Sequence, residues 1–319
     1  MHDTALPVDH GAWPSTCTAA LIVERPGQRL RALVGAPRTR EIALLNRSLR
    51  AYQLAFLRQH GVTRVIHGAM PPLDERSDSA SAEPHMARPV LVLESDVLTE
   101  ADVSAMLRFH AEQSTAVTVM LTRDSRSGDA QKVDGGLYVV DTTVLTPVLA
   151  RRSASGPRGF LATLLAEGVR WSAWYSRAYW RRIHTPTAYH AASMDLLSGR
   201  AGMLVDPPGA SVNGSWIGDD VRIGSDATIQ PASVVGSGAE LGAGTRIGPR
   251  AVIGAGSRIG SHVHITESVV GDDVVIGTGA ILDGCVVGHG ARVAPFSILA
   301  SGAVLAGGAV QRSRTLLPR

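Results

Sequence analysis

The chain has 319 residues, 45% of them apolar and 18% charged, which suits a folded protein of about two domains and excludes wholesale disorder. Its formal net charge of +3, carried by scattered arginines, excludes an electrostatic case for nucleic acid as partner. No apolar run approaches the roughly 18 residues that cross a bilayer, and Met1 to Trp13 are acidic and polar where a signal peptide is basic and then apolar, so the expectation is a cytoplasmic protein with no membrane partner.

In chain order, residues 1–16 read as an N-terminal extension. From 17 to 198, aliphatic runs at Thr18–Val23, Val62–Ile66, Pro89–Leu93, Ala116–Leu121 and Gly136–Val140 alternate with helical-period stretches at Leu45–His60, Glu100–Glu112 and Pro186–Ser198. That alternation predicts an α/β, Rossmann-like domain with a mainly parallel sheet. Ala69–Ala87 has the composition of a mobile loop, and 199–210, ending in Pro207-Pro208-Gly209, reads as a linker. Cys17 and Cys285 are too few for a disulfide framework and read as small buried hydrophobes.

The region 211–308 carries the strongest signal. Ile217, Ile223, Ile229, Val235, Leu241, Ile247, Ile253, Ile259 and Ile265 recur every six residues, mostly followed by glycine. The register then slips by one to Val270, and again to Val287. This period fits neither a helix nor an alternating strand. It predicts a left-handed parallel β-helix of hexapeptide repeats, with about 18 residues per coil and about five coils. Small residues are expected at its corners, where a Cβ would be crowded. Residues 309–319 read as a tail.

Several segments resemble sugar-1-phosphate nucleotidylyltransferases, most closely the mannose-1-phosphate guanylyltransferase branch. Gly27-Gln28-Arg29-Leu30-Arg31-Ala32-Leu33 resembles the G-T-R-L-x-P-L signature loop, and Asn46-Arg47-Ser48-Leu49 the N-K-P helix start. Leu93-Glu94-Ser95-Asp96 is similar to L-N-(G/S)-D, Asp134-Gly135-Gly136-Leu137-Tyr138 to N-A-G-(I/M)-Y, and Tyr179-Trp180-Arg181-Arg182-Ile183-His184 to (Y/F)-W-x-D-I-G. The resemblance implies a nucleotidyltransferase-like fold. It implies a catalytic Arg29 and a catalytic, Mg²⁺-binding Asp96 in an active protein, and nucleotide or sugar contacts from Gly27, Arg25, Arg38, Arg40 and Asp134.

The apparatus is incomplete. Glu24 and Arg25 replace a glycine pair that keeps the loop bare for phosphate, and Thr39 falls where the family has a lysine. Arg182 stands where the second metal aspartate belongs, which leaves Asp96 a weak Mg²⁺ ligand and predicts an Asp96–Arg182 ion pair in place of the metal. Lys132 is the single lysine of the chain, and Ala69–Arg88 and Asp124–Gln131 are shortened against the family. Phosphoryl transfer between two anions needs metal and cationic groups to screen charge.

The expectation is therefore a pseudoenzyme, a regulatory or scaffold subunit that binds a nucleotide or nucleotide sugar and forms a homo-oligomer or a heteromer with an active paralogue. Mg²⁺ is implied only for an active protein. The alternative is an active nucleotidylyltransferase with an atypical site or substrate, and a minor one a hexapeptide acyltransferase using His262, His264 or His289 as base.

Overall fold

The computed structural model describes residues 19–23, 30, 33, 42–67, 89–123, 132–145, 160–202, 205–311 and 316–317. The N-terminal extension and the loop expected over 69–87 lie outside them. Before the repeats the elements are β1 (Ala19–Val23), β2 (Ala43–Leu44), β3 (Arg47–Ser48), α1 (Leu49–Gln59), β4 (Arg64–His67), β5 (Pro89–Glu94), β6 (Val97–Thr99), α2 (Val103–Glu112), β7 (Val117–Arg123), β8 (Lys132–Asp141), α3 (Phe160–Ala166), β9 (Trp171–Tyr175), β10 (Trp180–Arg182) and α4 (Pro186–Leu197).

The described residues fall into two compact units. The first holds a six-stranded sheet in the order β4-β1-β5-β8-β7-β9. Five strands run the same way, as the alternation of strand and helix requires; β8 alone is reversed, pairing antiparallel with β5 and β7. Only eight residues separate β7 from β8, too few for a crossover of about a dozen, so the two strands return on each other. Leu21, Val92, Val119 and Tyr138 are buried at the sheet, and the Tyr138 ring meets Phe160 of α3 at 4.9 Å. Helix α2 starts where Asp102 accepts the Ala105 N–H at 2.9 Å, and it buries Val103, Met106, Leu107 and His110 at helical spacing. On that buried face His110 Nδ1 lies 2.9 Å from Thr118 Oγ1, and Nε2 lies 3.3 Å from Asp141.

The second unit contains the repeats. Two-residue strands form three parallel sheets, and each rung pairs with the rung one coil later: Trp216 with Val234, then Val252, Val269, Val286 and Val304. Where the sequence slips, the coil shortens from 18 to 17 residues, as in Val252 to Val269, so the ladder stays in register while a corner loses a residue. Ile247, Ile265, Leu282 and Leu299 stack inside with every side chain at most 1% exposed. A fully buried aliphatic contributes about 1.5–3 kcal/mol, so a column of them stabilises strands this short.

The corners divide the work expected of glycine between two positions. The residue after each aliphatic is pressed against the next coil: a Cβ on Gly271 would lie 2.8 Å from His289 N. Left-handed φ falls two residues later and is not reserved for glycine, being +69° at Gly279 but +56° at Asp273 and +57° at Asp226.

Three sequence boundaries shift. The described residues of Arg25–Phe56 and Ser95–Glu100 belong with Ala178–Arg319 and not with the sheet, so the domain does not run unbroken from 17 to 198. The reason is apolar: Val234, Val252, Val269 and Val286 form an outward row buried with Leu44, Leu49, Leu98, Ile183 and Leu196. The 199–210 segment is not a free linker. Ala201 is buried in that cluster, and Ala210–Val212 pairs with Ser215–Ile217. Two rungs, Val310–Gln311 and Leu316–Leu317, continue the ladder into the expected tail.

The helix read over Leu45–His60 begins only at Leu49. Leu45 and Asn46 have φ of +50° and +62°, which makes a tight two-residue hairpin turn between β2 and β3. Asn46 Nδ2 donates to Ile253 O at 2.9 Å, and Ala51 N donates to Ser48 Oγ at 3.2 Å as the helix starts. Helix α4 is capped by Thr185, whose hydroxyl accepts from Ala188 N at 3.1 Å, with Pro186 preset for the first turn.

Candidate functional site

Asp96 lies in the two-residue turn between β5 and β6, and Arg182 ends β10, which pairs antiparallel with β6. The register sets Arg182 opposite Val97, and Asp96 O accepts Ile183 N at 2.7 Å, so the backbone brings the two side chains together. The expected ion pair is formed, with Arg182 Nη1 3.2 Å from Asp96 Oδ1. Asp96 is 0% exposed and Arg182 10%. The Trp180 ring, on the same face of β10, lies 6.0 Å from the Arg182 guanidinium carbon and helps hold it. Gln53 of α1 donates to Val97 O at 2.9 Å, pinning the strand that follows Asp96.

The neighbouring Arg181 faces the opposite way and finds its own buried carboxylate. Its Nε donates to Asp195 Oδ2 at 2.8 Å, Tyr179 OH donates to the same oxygen at 2.9 Å, and Arg200 meets Oδ1 at 2.8 Å. Burial works against the Arg181 charge, but the contacts with Tyr179 and Asp195 outweigh it and raise its pKa. Burial pushes the Tyr179 hydroxyl upward, so it stays protonated as a donor. Two successive arginines are thus each committed to a buried acid. Sequence reading did not single out Asp195, although an aspartate flanked by Met194 and Leu196 on a helix that buries all three was a usable signal.

This donor set does not fit Mg²⁺. A hard cation needs several oxygen ligands, whereas the carboxylate of Asp96 faces a guanidinium where a second carboxylate would have to stand. Among the described residues no group of three or more His, Cys, Asp or Glu is placed to hold a metal. Arg25, Gly27, Arg29, Arg38 and Arg40 lie outside the described residues.

Asp134 belongs to the first unit, where it serves the backbone. Its Oδ1 accepts Gly136 N at 2.9 Å, and both carboxylate oxygens lie within 2.9 Å of Tyr138 OH. Gly136 has φ +68°, beside an irregularity in the β7–β8 pairing between Val119 and Leu121, so the acid organises a bulge. Among the histidines weighed as a base, His289 serves a corner: its ring Nδ1 accepts Asp272 N at 2.9 Å, and its backbone N–H donates to Leu33 O. Cys285 is fully buried inside the coils, and burial pushes its thiol up to about 11.

Comparison with known proteins agrees with this architecture. A family model described as the GMPPB C-terminal domain matches residues 229–317, within the coils. Mannose-1-phosphate guanylyltransferase of Mycobacterium tuberculosis (strain ATCC 25618 / H37Rv) is 28% identical over 184 residues, covering 45% of this chain and 51% of that protein. Over these stretches the chain is similar to the sugar-1-phosphate nucleotidylyltransferases, on their mannose-1-phosphate guanylyltransferase-like branch. It spans about half the length of the curated guanylyltransferase it matches. No helix among the described residues of this guanylyltransferase-like chain is long and apolar enough to cross a membrane.

Proposed function

We propose that this nucleotidylyltransferase relative has given up catalysis and acts as a regulatory or scaffold subunit, retaining a nucleotide or nucleotide sugar as ligand and assembling with copies of itself or with an active paralogue. The observation that carries the reading is the buried Asp96–Arg182 pair. A carboxylate neutralised by a fixed guanidinium is a poor metal ligand, and a transition state that gathers charge on transferring phosphoryl oxygens loses its main stabiliser. The scaffold role is supported by exposed aliphatic residues on the β-helix rungs, among them Ile223, Val275, Ile281, Ile298 and Val304, which suit packing against another chain.

The test is pyrophosphate release over a matrix of nucleoside triphosphates and sugar 1-phosphates with Mg²⁺, beside thermal unfolding with GDP-sugars. The expected result is no turnover from folded protein together with a ligand-dependent rise in Tm. Turnover that disappears in Asp96→Ala would establish the alternative, an active enzyme with an atypical site.

A further inference from the structure

The six-stranded sheet of the first unit ends in two strands of different chemistry. At one edge β4 carries Arg64, which is exposed, and His67, the charged and polar kind of side chain that blunts an open strand. At the other, β9 reads Trp171-Ser172-Ala173-Trp174-Tyr175, with no charge, proline or glycine, and its Trp171 is 37% exposed. Among the described residues β9 pairs with β7 alone.

The register with β7 fixes which backbone groups of β9 are open. Leu121 is paired with Tyr175, and its carbonyl accepts Ser176 N at 2.9 Å, so the even-numbered residues turn their N–H and C=O towards β7. These groups alternate in direction along a strand, so Trp171, Ala173 and Tyr175 turn theirs to the free edge. Among the described residues the three have no hydrogen-bond partner on that side.

The open edge is complementary to itself. A two-fold axis at Ala173 lays a second copy of β9 antiparallel to the first, sets Ala173 against its own counterpart, and sets Trp171 against Tyr175 of the second copy twice over. All three are hydrogen-bonded pairs that exchange two backbone bonds each, and the two aromatic pairs share one face of the sheet with the small alanines between them. A slip of one residue would set outward groups against inward ones, and a slip of two would leave Tyr175 with no strand residue opposite. The centred register is therefore the one that uses every open group of both copies.

We infer that β9 is a self-pairing edge, through which two copies of this chain join antiparallel at Ala173 into one continuous sheet. The inference rests on the self-assembly part of the function proposed above and gives it a surface outside the β-helix.

Sedimentation velocity of the whole chain up to about 100 μM tests it. Ala173→Pro removes only an N–H that faces outward, at a place where an edge strand accepts proline, so Tm should hold within about 5 °C while the dimer is lost. Trp171→Ala deletes one side of two symmetric aromatic pairs and should weaken the dimer at least about tenfold. Ile281→Lys/Ile298→Lys, exposed on the coils, should leave this pairing intact. In a Cys17→Ser background, Ala173→Cys should form a disulfide between copies on mild oxidation, because hydrogen-bonded partners bring their Cα atoms to about 5.5 Å. Trp171→Cys should not, lying about 13 Å along the strand from its counterpart. A parent chain that stays monomeric would overturn this inference together with the self-assembly it rests on. An oligomer unchanged by Ala173→Pro and Trp171→Ala, with no disulfide at position 173, would overturn the edge pairing alone and leave assembly through another surface standing.

Discussion

Replacing Asp96 by alanine separates a pseudo-site held by an ion pair from a metal site awaiting its ion. With charges 3.2 Å apart, an effective dielectric of about 20 gives an attraction of about 5 kcal/mol. Desolvating both groups offsets most of this, so the intact pair adds little net stability. Removing one partner is another matter, because Arg182, 10% exposed, would keep its charge and lose the buried carboxylate it faces at 3.2 Å. Asp96→Ala is expected to cost about 3–5 kcal/mol, and Arg182→Met a similar amount. For a unit of this size that is a fall in Tm of roughly 10 °C. The double variant Asp96→Leu/Arg182→Met removes both charges and should recover most of the loss, giving a coupling of at least about 2 kcal/mol in a double-mutant cycle by urea denaturation. If Asp96→Ala is neutral or stabilising, and Mg²⁺ stabilises only the parent, the carboxylate is a metal ligand and the reasoning fails.

Asp195→Ala should cost about 3–5 kcal/mol in the same assay, since it strands Arg181 and takes the acceptor of Tyr179; a loss under about 1 kcal/mol would show that the network adds little. Gly260→Ala brings a Cβ to 2.6 Å from Thr278 N in the next coil and should lower stability by about 1–3 kcal/mol, whereas Gly238→Ala, with nothing within 4 Å, meets only the strain of its φ of +69°. Equal losses from the two would contradict the division of corner roles. Cys285 should resist thiol reagents in the folded chain. Its thiol is raised from 9.0 to about 11, so folding favours the protonated form. That stability is complete below about pH 9 and is lost as pH rises through about 11, on the order of 3 kcal/mol at most. Cys285→Ala should flatten this alkaline limb in unfolding measurements, and an unchanged slope would count against it.

The repeats were legible because a coil repeats one environment: each rung must place an aliphatic inside and keep the following residue small, so the period survives on the page from Ile217 to Leu305. The one-residue slips showed as well, since a ladder in register can shed a residue only at a corner. The Asp96–Arg182 pair was readable through the family resemblance, which puts a cation where the second metal aspartate belongs and so opposite Asp96. Other features depended on partners far away in the chain. The outward valines of one face look in sequence like any exposed rung, and only their packing with Leu44, Leu98 and Leu196 shows them buried. That burial, and not chain order, joins segments on either side of the sheet strands into the unit of the coils. Helical periodicity extended through Leu45 and Asn46, yet their left-handed turn is held by the hairpin and by the carbonyl of Ile253. Arg181 and Arg182 are the same residue twice to a reader of sequence. Strand geometry turns them to opposite faces and hands one to Asp195 and the other to Asp96, because local period specifies which face a side chain takes, while its partner is chosen by whatever the rest of the chain folds against that face.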